Sequence, residues 1–100
     1  MKFYRYDAHY IMSGVDVLCD TFKLVKETPK GYWITIDSLF FYSWKKWISK
    51  TSRKRFAYPT KAEALNSFII RKEKQIIHCE RAMHNAKRAL SIAKEIKLES

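Results

Sequence analysis

The stretch KTSRKRFAYPTKAEAL, residues 50–65, separates two kinds of sequence. Short aromatic runs interrupted by Gly and Pro precede it, whereas the segment after Pro59 contains neither residue type. Pro59 disfavours helical geometry at Tyr58. Thr60 and Glu63 have the spacing of a capping box, in which the threonine accepts from the third helical amide and the glutamate reaches back. We therefore predict that strands end here and that a helix starts at Thr60.

The composition limits the class of protein. A chain of 100 residues suits one domain, and 47% hydrophobic with 15% aromatic residues indicates a folded chain. A formal net charge of +10 predicts an anionic partner, either a nucleotide, a nucleic acid or an acidic membrane surface. No apolar run approaches the roughly 18 residues of a spanning helix, and no secretory signal opens the chain. We therefore expect a cytosolic protein that does not enter a membrane.

The first half of the chain predicts five short strands joined mostly by hairpins. We expect them at residues 3–11, 15–26, 32–36, 40–49 and 55–58, with turns at residues 12–14 and 28–31 and a break at residues 37–38. The alternation of the second strand changes phase near Asp20, where we expect a β-bulge. The fifth strand should pair with the fourth across Lys50 to Lys54. The prediction is a mostly antiparallel sheet over residues 1–59.

The second half predicts one long helix over residues 60–98. Its apolar positions are spaced alternately four and three, as in a coiled-coil seam: Leu65, Ile69, Lys72, Ile76, Cys79, Met83, Ala86, Leu90, Ala93 and Lys97. Such a helix would be roughly 55 Å long, which exceeds the face of a sheet of short strands. Without Gly or Pro to bend it, a homodimer through this seam is favoured over a helical hairpin. The predicted fold is α+β, a single domain of residues 1–100.

Few residues suggest catalysis. The acidic residues of the first half form no close pair for general acid–base work, and phosphate-loop and nucleophile-elbow motifs are missing from the sequence. His78, Cys79, Glu80 and His84 share a helix, but Glu80 and His84, which are four positions apart, are better interpreted as surface residues than as metal ligands. Cys19 and Cys79 are interpreted as isolated, buried thiols. We predict a protein that is not an enzyme and that has no metal or cofactor.

A basic stretch lies next to the predicted helix start. Its cations are interleaved with aromatic residues: Lys45, Lys46, Lys50, Arg53, Lys54 and Arg55 with Trp44, Trp47, Phe56 and Tyr58. Either the aromatics face the core and the cations are solvated, or an aromatic stacks on a base while cations pair with phosphates. The helix start at Thr60 would add attraction for anions. Asn66 is either a surface residue or a hydrogen-bonding partner for a base or ribose edge.

The run from Trp47 to Phe68, WISKTSRKRFAYPTKAEALNSF, resembles the first type of phage-encoded Thoeris anti-defence proteins. The resemblance is close where the predicted sheet meets the predicted helix. In the rest of the chain it is limited to the order of sheet and helix. It implies a dimer, able to assemble into hexamers, that sequesters a cyclic ADP-ribose isomer in the host-cell cytoplasm without degrading it. It also implies a ligand site with an aromatic in the last strand, here Phe56, and an asparagine early in the helix, here Asn66.

The resemblance further implies an arginine from the sheet. It does not align with a particular position, and the charge argument offers Arg53 or Arg55, with Lys50 and Thr60 as further anion contacts. Some family members also bind cyclic trinucleotides through two arginines on the long helix. Counting from Phe56 brings those positions to Met83 and Lys87, and a methionine cannot make a bidentate phosphate contact. A second site therefore requires a shift in register to Arg81 or Arg88.

The predicted function is thus a sponge for a cyclic nucleotide signal, specifically glycocyclic ADP-ribose. The alternative is a small basic protein that binds nucleic acid through the same cationic stretch. A third possibility is an inhibitor that grips a host protein through the helix seam.

Overall fold

The computed structural model describes residues 1–36 and 44–99, with side chains up to Lys97. Within these residues, four strands, β1 (Lys2–Ile11), β2 (Gly14–Glu27), β3 (Gly31–Ile36) and β4 (Lys46–Ser49), precede one helix, α1 (Lys61–Glu99). The strands form an antiparallel sheet in the order β1-β2-β3-β4. The predicted α+β class is confirmed. Residues 40–43 of the predicted fourth strand, and the predicted break at residues 37–38, lie outside the described residues.

Tight turns join the first three strands as predicted. Gly14 begins β2 with a φ of 135°, a conformation that side-chain-bearing residues rarely adopt. At the second turn, the Thr28 amide donates to the Gly31 carbonyl oxygen at 2.8 Å, and the Gly31 amide donates to the Thr28 hydroxyl at 3.0 Å. These contacts set the register in which Tyr32 pairs with Glu27.

The predicted bulge exists, but the predicted position near Asp20 is wrong. The β2–β3 register shifts between Leu24, which pairs with Ile34, and Lys26, which pairs with Trp33, so that Val25 is the extra residue. The bulge reverses the alternation of the strand beyond it. Lys23 and Lys26 consequently lie on one face of the sheet, although three positions separate them.

The core lies on the other face of the sheet. It consists of buried apolar side chains from all four described strands and from the segment before α1: Phe3, Phe22, Ile34, Ile48 and Ala57. Ring contacts extend this core, since the ring centroids of Phe3 and Tyr32 are 5.1 Å apart. Burial of these side chains removes apolar surface from water, which is the main stabilising contribution to the sheet.

The predicted fifth strand is wrong. Within residues 55–58, Tyr58 alone forms a bridge, and its partner is Tyr4 at the free edge of β1 rather than a residue of β4. The Tyr4 and Tyr58 amides donate to each other's carbonyl oxygens at 2.7 and 2.9 Å. Arg55 prevents a hairpin with β4, because its guanidinium donates to the carbonyl oxygens of Lys50 and Ser52 and closes the intervening residues into a compact loop.

Thr60 caps the start of α1 as predicted, but the reciprocal bond from Glu63 to the Thr60 amide is replaced by a bond to the Thr60 hydroxyl. The Glu63 amide donates to the Thr60 hydroxyl oxygen at 3.2 Å, as expected, whereas the Glu63 carboxylate accepts from that hydroxyl at 3.0 Å. Lys61 Nζ lies 5.6 Å from the centroid of the Tyr4 ring, and Ala64 is buried, so the first turns of α1 belong to the same compact unit as the sheet, Met1–Ile69.

The remainder of α1, from Ile70, forms a second compact unit. All its side chains from residue 73 to residue 97 are exposed, which includes the apolar seam positions Ile76, Met83 and Leu90. Cys79 is exposed as well, so the prediction of a buried thiol is wrong there, and Cys19 is only half-buried. In the described part of the chain, no helix is both long enough and apolar enough to cross a membrane.

Candidate functional site

Phe56 lies in a group of aromatic and cationic side chains on the core face of the sheet. Its ring centroid is 5.4 Å from that of Phe22 and 5.9 Å from that of Trp44. Arg5 Cζ and Lys46 Nζ lie 4.6 and 4.8 Å from the same ring centroid, close enough for the ring quadrupole to attract both cations. We call these five residues the Phe56 cluster. Phe56 is half-buried and Lys46 is exposed, so the cluster is accessible from solvent.

Arg5 is the most firmly held cation of this cluster. Strand alternation puts Arg5 on the face of the buried Phe3. Its Nε donates to Asp7 Oδ2 at 2.9 Å, and its Nη1 donates to the Phe56 carbonyl oxygen at 2.8 Å. The Arg5 and Asp7 side chains are 22% and 33% exposed. Because a carboxylate, a carbonyl and a ring fix the planar guanidinium, its orientation is set before any ligand arrives.

Arg5 was not among the predicted site residues. Its aromatic partner lies 51 positions away along the chain, and no local pattern joins the two. The available signal was the alternation Phe3-x-Arg5-x-Asp7, in which two charged residues follow a large apolar one on the same face of a strand. Charged residues on a core face require partners, so this alternation marks Arg5 for attention.

Lys50 and Arg55, two predicted ligand contacts, have protein partners. Lys50 Nζ donates to Glu27 Oε2 at 2.6 Å and lies 5.1 Å from the Tyr32 ring centroid. The hydrogen bond to the Glu27 carboxylate raises the pKa of Lys50 above its ordinary value of 10.5. Arg55 Nε donates to the Ser52 carbonyl oxygen at 2.8 Å. Both cations therefore hold the loop between β4 and Phe56 in shape.

The other predicted contacts differ in accessibility. Arg53 is exposed, and its carbonyl oxygen accepts a hydrogen bond from the Tyr58 hydroxyl at 3.2 Å. The Thr60 hydroxyl is engaged in the capping box. Asn66 is exposed on the second turn of α1, within the same compact unit as Phe56. Arg53 and Asn66 are thus available to a ligand. At Thr60 the hydroxyl is already bonded, so attraction for an anion there comes mainly from the positive end of the α1 dipole.

The residues of the second predicted site lie on the part of α1 from Ile70 onwards, which we call the outer part of α1. Met83 and Lys87 are four positions apart on one helix face and are exposed, as are Arg81 and Arg88. This geometry offers single cations at a helix surface rather than a paired arginine clamp.

The Phe56 cluster suits an anion that carries a flat ring. Its aromatic face offers stacking, and its two cations offer charge within one side-chain length of that face. Over residues 1–36 and 44–97, no group of three His, Cys, Asp or Glu side chains could hold a metal ion. No protein-family model matches the sequence, and comparisons with curated proteins and with solved structures yield no significant match.

Proposed function

We propose that the protein is a phage immune-evasion sponge, which binds glycocyclic ADP-ribose and sequesters it without cleavage. The Phe56 cluster is the observation that carries the proposal, together with the resemblance of residues 47–68 to Thoeris anti-defence proteins. Such a sponge acts in the host-cell cytoplasm and needs neither a catalytic residue nor a cofactor. It needs a rigid pocket that releases its ligand slowly.

In this proposal the ligand's adenine stacks on Phe56. Lys46 is exposed, so its side chain can leave the ring and turn towards a phosphate, and Arg5 stays where Asp7 holds it and donates its remaining N–H groups to the pyrophosphate. The base then takes the place on the ring that Lys46 leaves, while Arg5 keeps its position 4.6 Å from the ring centroid. Arg5 therefore takes the role of the sheet arginine that the resemblance calls for, in preference to Arg53 or Arg55.

The remaining predicted residues divide into direct and indirect contributors. Asn66 hydrogen-bonds a base or ribose edge, and the exposed Arg53 adds charge at the rim. Lys50 and Arg55 act indirectly, since their contacts with Glu27 and with the loop carbonyls support the backbone next to Phe56. The same contacts weaken the alternative of nucleic-acid binding through residues 45–55, because Lys50 and Arg55 already bind groups of the protein.

The proposed assembly is a homodimer through the α1 seam. Exposed apolar side chains at Ile76, Met83 and Leu90 support it, because burying side chains of this size in an interface lowers the free energy. Assembly of dimers into hexamers, and a cyclic-trinucleotide site at Lys87 and Arg88, depend on this dimer and are secondary parts of the proposal.

The test is isothermal titration of the purified chain with glycocyclic ADP-ribose, with linear NAD as the control ligand. We expect saturable binding of the cyclic compound, and its recovery intact when the protein is heat-denatured. Phe56→Leu retains apolar bulk against Phe22 but removes the ring, and Asn66→Ala removes the amide. Each should weaken binding at least about 10-fold, or about 1.4 kcal/mol.

Asn85→Ala is the matched control, because Asn85 is an exposed asparagine on the outer part of α1. Wild-type affinity in both Phe56→Leu and Asn66→Ala would disprove the site. Turnover of the cyclic compound to a linear product would disprove the sponge.

A further inference from the structure

The face of the sheet opposite the core carries two exposed tryptophans side by side. Trp33 of β3 and Trp47 of β4 are direct partners in the antiparallel ladder and are 39% and 41% exposed. Their ladder neighbours Ile34 and Ile48 are buried, so alternation turns both indoles away from the core. The Cβ atoms of directly paired residues lie roughly 5 Å apart, so both indoles start from neighbouring points on this face.

The Trp47 ring is held against the sheet. Its Nε1 donates to the Thr28 hydroxyl at 3.4 Å, and a Cβ built on Gly31 would lie 2.5 Å from its Cζ2 atom. The indole therefore lies across the backbone of Gly31, where no other residue type leaves room for it. A ring fixed in this way loses little rotational freedom when something stacks on it.

Cations flank this surface because of the β2 bulge. Val25 is the extra residue, and it brings both Lys23 and Lys26 to the tryptophan face, where Lys26 is the ladder partner of Trp33. Both lysines are exposed. In the register of the four described strands, no Asp or Glu shares this face, since Glu27 pairs with Tyr32 on the core side. The surface is aromatic at its centre and positive at its border.

We infer that this face, Trp33 and Trp47 with Lys23 and Lys26, binds single-stranded nucleic acid, with bases stacked on the indoles and phosphates paired with the lysines. Exposed aromatics on a sheet with neighbouring cations provide the two contributions that such binding uses, and stacking tolerates any base sequence. The absence of carboxylates from this face of the described strands argues against a cationic partner. The site is separate from the Phe56 cluster, which lies on the core face.

The first test is fluorescence anisotropy of a labelled 12-nucleotide oligothymidylate titrated with wild-type protein, and with Trp33→Ala and Trp33→Phe. We expect Trp33→Ala to lower the affinity at least about five-fold, because losing one stacked base costs at least ~1 kcal/mol. Trp33→Phe should retain most of the affinity. The oligonucleotide should quench intrinsic tryptophan fluorescence, and a duplex of the same length should bind more weakly.

The second test separates this face from general positive charge. Lys23→Gln with Lys26→Gln should reduce the slope of log K against log salt by about 1.4, since each single-strand phosphate contact contributes ~0.7. The matched control, Lys74→Gln with Lys94→Gln on α1, should leave the slope unchanged. Circular dichroism melting of each variant verifies that the fold persists.

Equal affinity of Trp33→Ala and wild type for oligothymidylate would overturn the inference. So would equal effects of the two lysine pairs, which would indicate diffuse charge. A loss of self-association in Trp33→Ala, seen by sedimentation without any change in DNA affinity, would also overturn it by assigning the face to a second copy of the chain. Trp33→Ala should bind glycocyclic ADP-ribose like wild type, and Phe56→Leu should bind oligothymidylate like wild type, so the two proposals fail independently.

Discussion

The guanidinium of Arg5 lies 4.6 Å from the centroid of the Phe56 ring and donates a 2.8 Å hydrogen bond to the carbonyl oxygen of the same residue. One side chain thus fixes both the ring and the backbone of a residue 51 positions away. Because Phe56 follows the loop that leaves β4, this contact ties the loop to the opposite edge strand of the sheet. The same contact therefore stabilises the first compact unit and positions Phe56 in the candidate site.

Replacing Arg5 tests this connection. Arg5→Lys keeps a positive charge but cannot donate at the same time to Asp7 and to the Phe56 carbonyl in the planar geometry of a guanidinium. We expect a loss of about 1–3 kcal/mol in the free energy of unfolding, measured by urea denaturation, because the lost bonds are charge-assisted. Arg53→Lys, at an exposed arginine, is the control and should be nearly neutral. If Arg5→Lys had the same free energy of unfolding as wild type, the contact would contribute nothing to the stability of the fold.

The capping box allows a local test of the helix start. Thr60→Ala removes the hydroxyl that accepts from the Glu63 amide, which should cost about 0.5–2 kcal/mol of unfolding free energy. Thr60→Ser retains the hydroxyl and should remain within a few tenths of a kcal/mol of wild type. Chemical denaturation followed at 222 nm measures both. Equal losses in the two variants would show that the methyl group, rather than the cap, matters at this position.

The Lys50–Glu27 pair predicts a dependence of stability on alkaline pH. The Glu27 carboxylate raises the pKa of Lys50 in the folded state, so folding favours the protonated amine. The contribution is fully present below the unfolded pKa of 10.5 and is lost as pH rises through the higher folded value. The Tyr6 pKa is also raised, first by burial, and acts in the same direction. We therefore compare wild type with Glu27→Gln.

The Glu27→Gln variant should lose less stability than wild type between about pH 10 and 12, and the two melting temperatures should converge there. The residual decline that both proteins share is assigned to Tyr6 and other groups. A constant difference between the two proteins across this range would show that the ion pair does not titrate with Lys50.

The α1 seam predicts self-association. Met83→Glu puts a charge among apolar side chains at a predicted interface, so it should shift a dimer towards monomer at micromolar concentration in sedimentation equilibrium. Ala82→Glu changes the neighbouring exposed position off the seam and should leave the dimer intact. A wild-type protein that sediments as a monomer at these concentrations would contradict the seam.

Local sequence signals predicted the elements whose determinants lie close together in the chain. The Thr60–Glu63 spacing located the helix start, and the turn at residues 28–31 located the β2–β3 hairpin. The fifth strand was wrong because aromatic and basic alternation at residues 55–58 resembles a strand, while the Arg55 side chain closes a loop instead. The Arg5–Phe56 contact could not be predicted, because its two residues meet only when the whole sheet is formed.

The Val25 bulge is the one place in β2 where a change of length leaves both faces intact. Deleting Val25 would let Leu24, Lys26 and Glu27 pair with Ile34, Trp33 and Tyr32 in a regular ladder, so each side chain would keep its face. Deleting a residue from the regular part of the strand, such as Lys23, would instead exchange the faces on one side of the deletion. We therefore expect homologues of this chain to gain or lose a residue of β2 at Val25 rather than elsewhere in the strand.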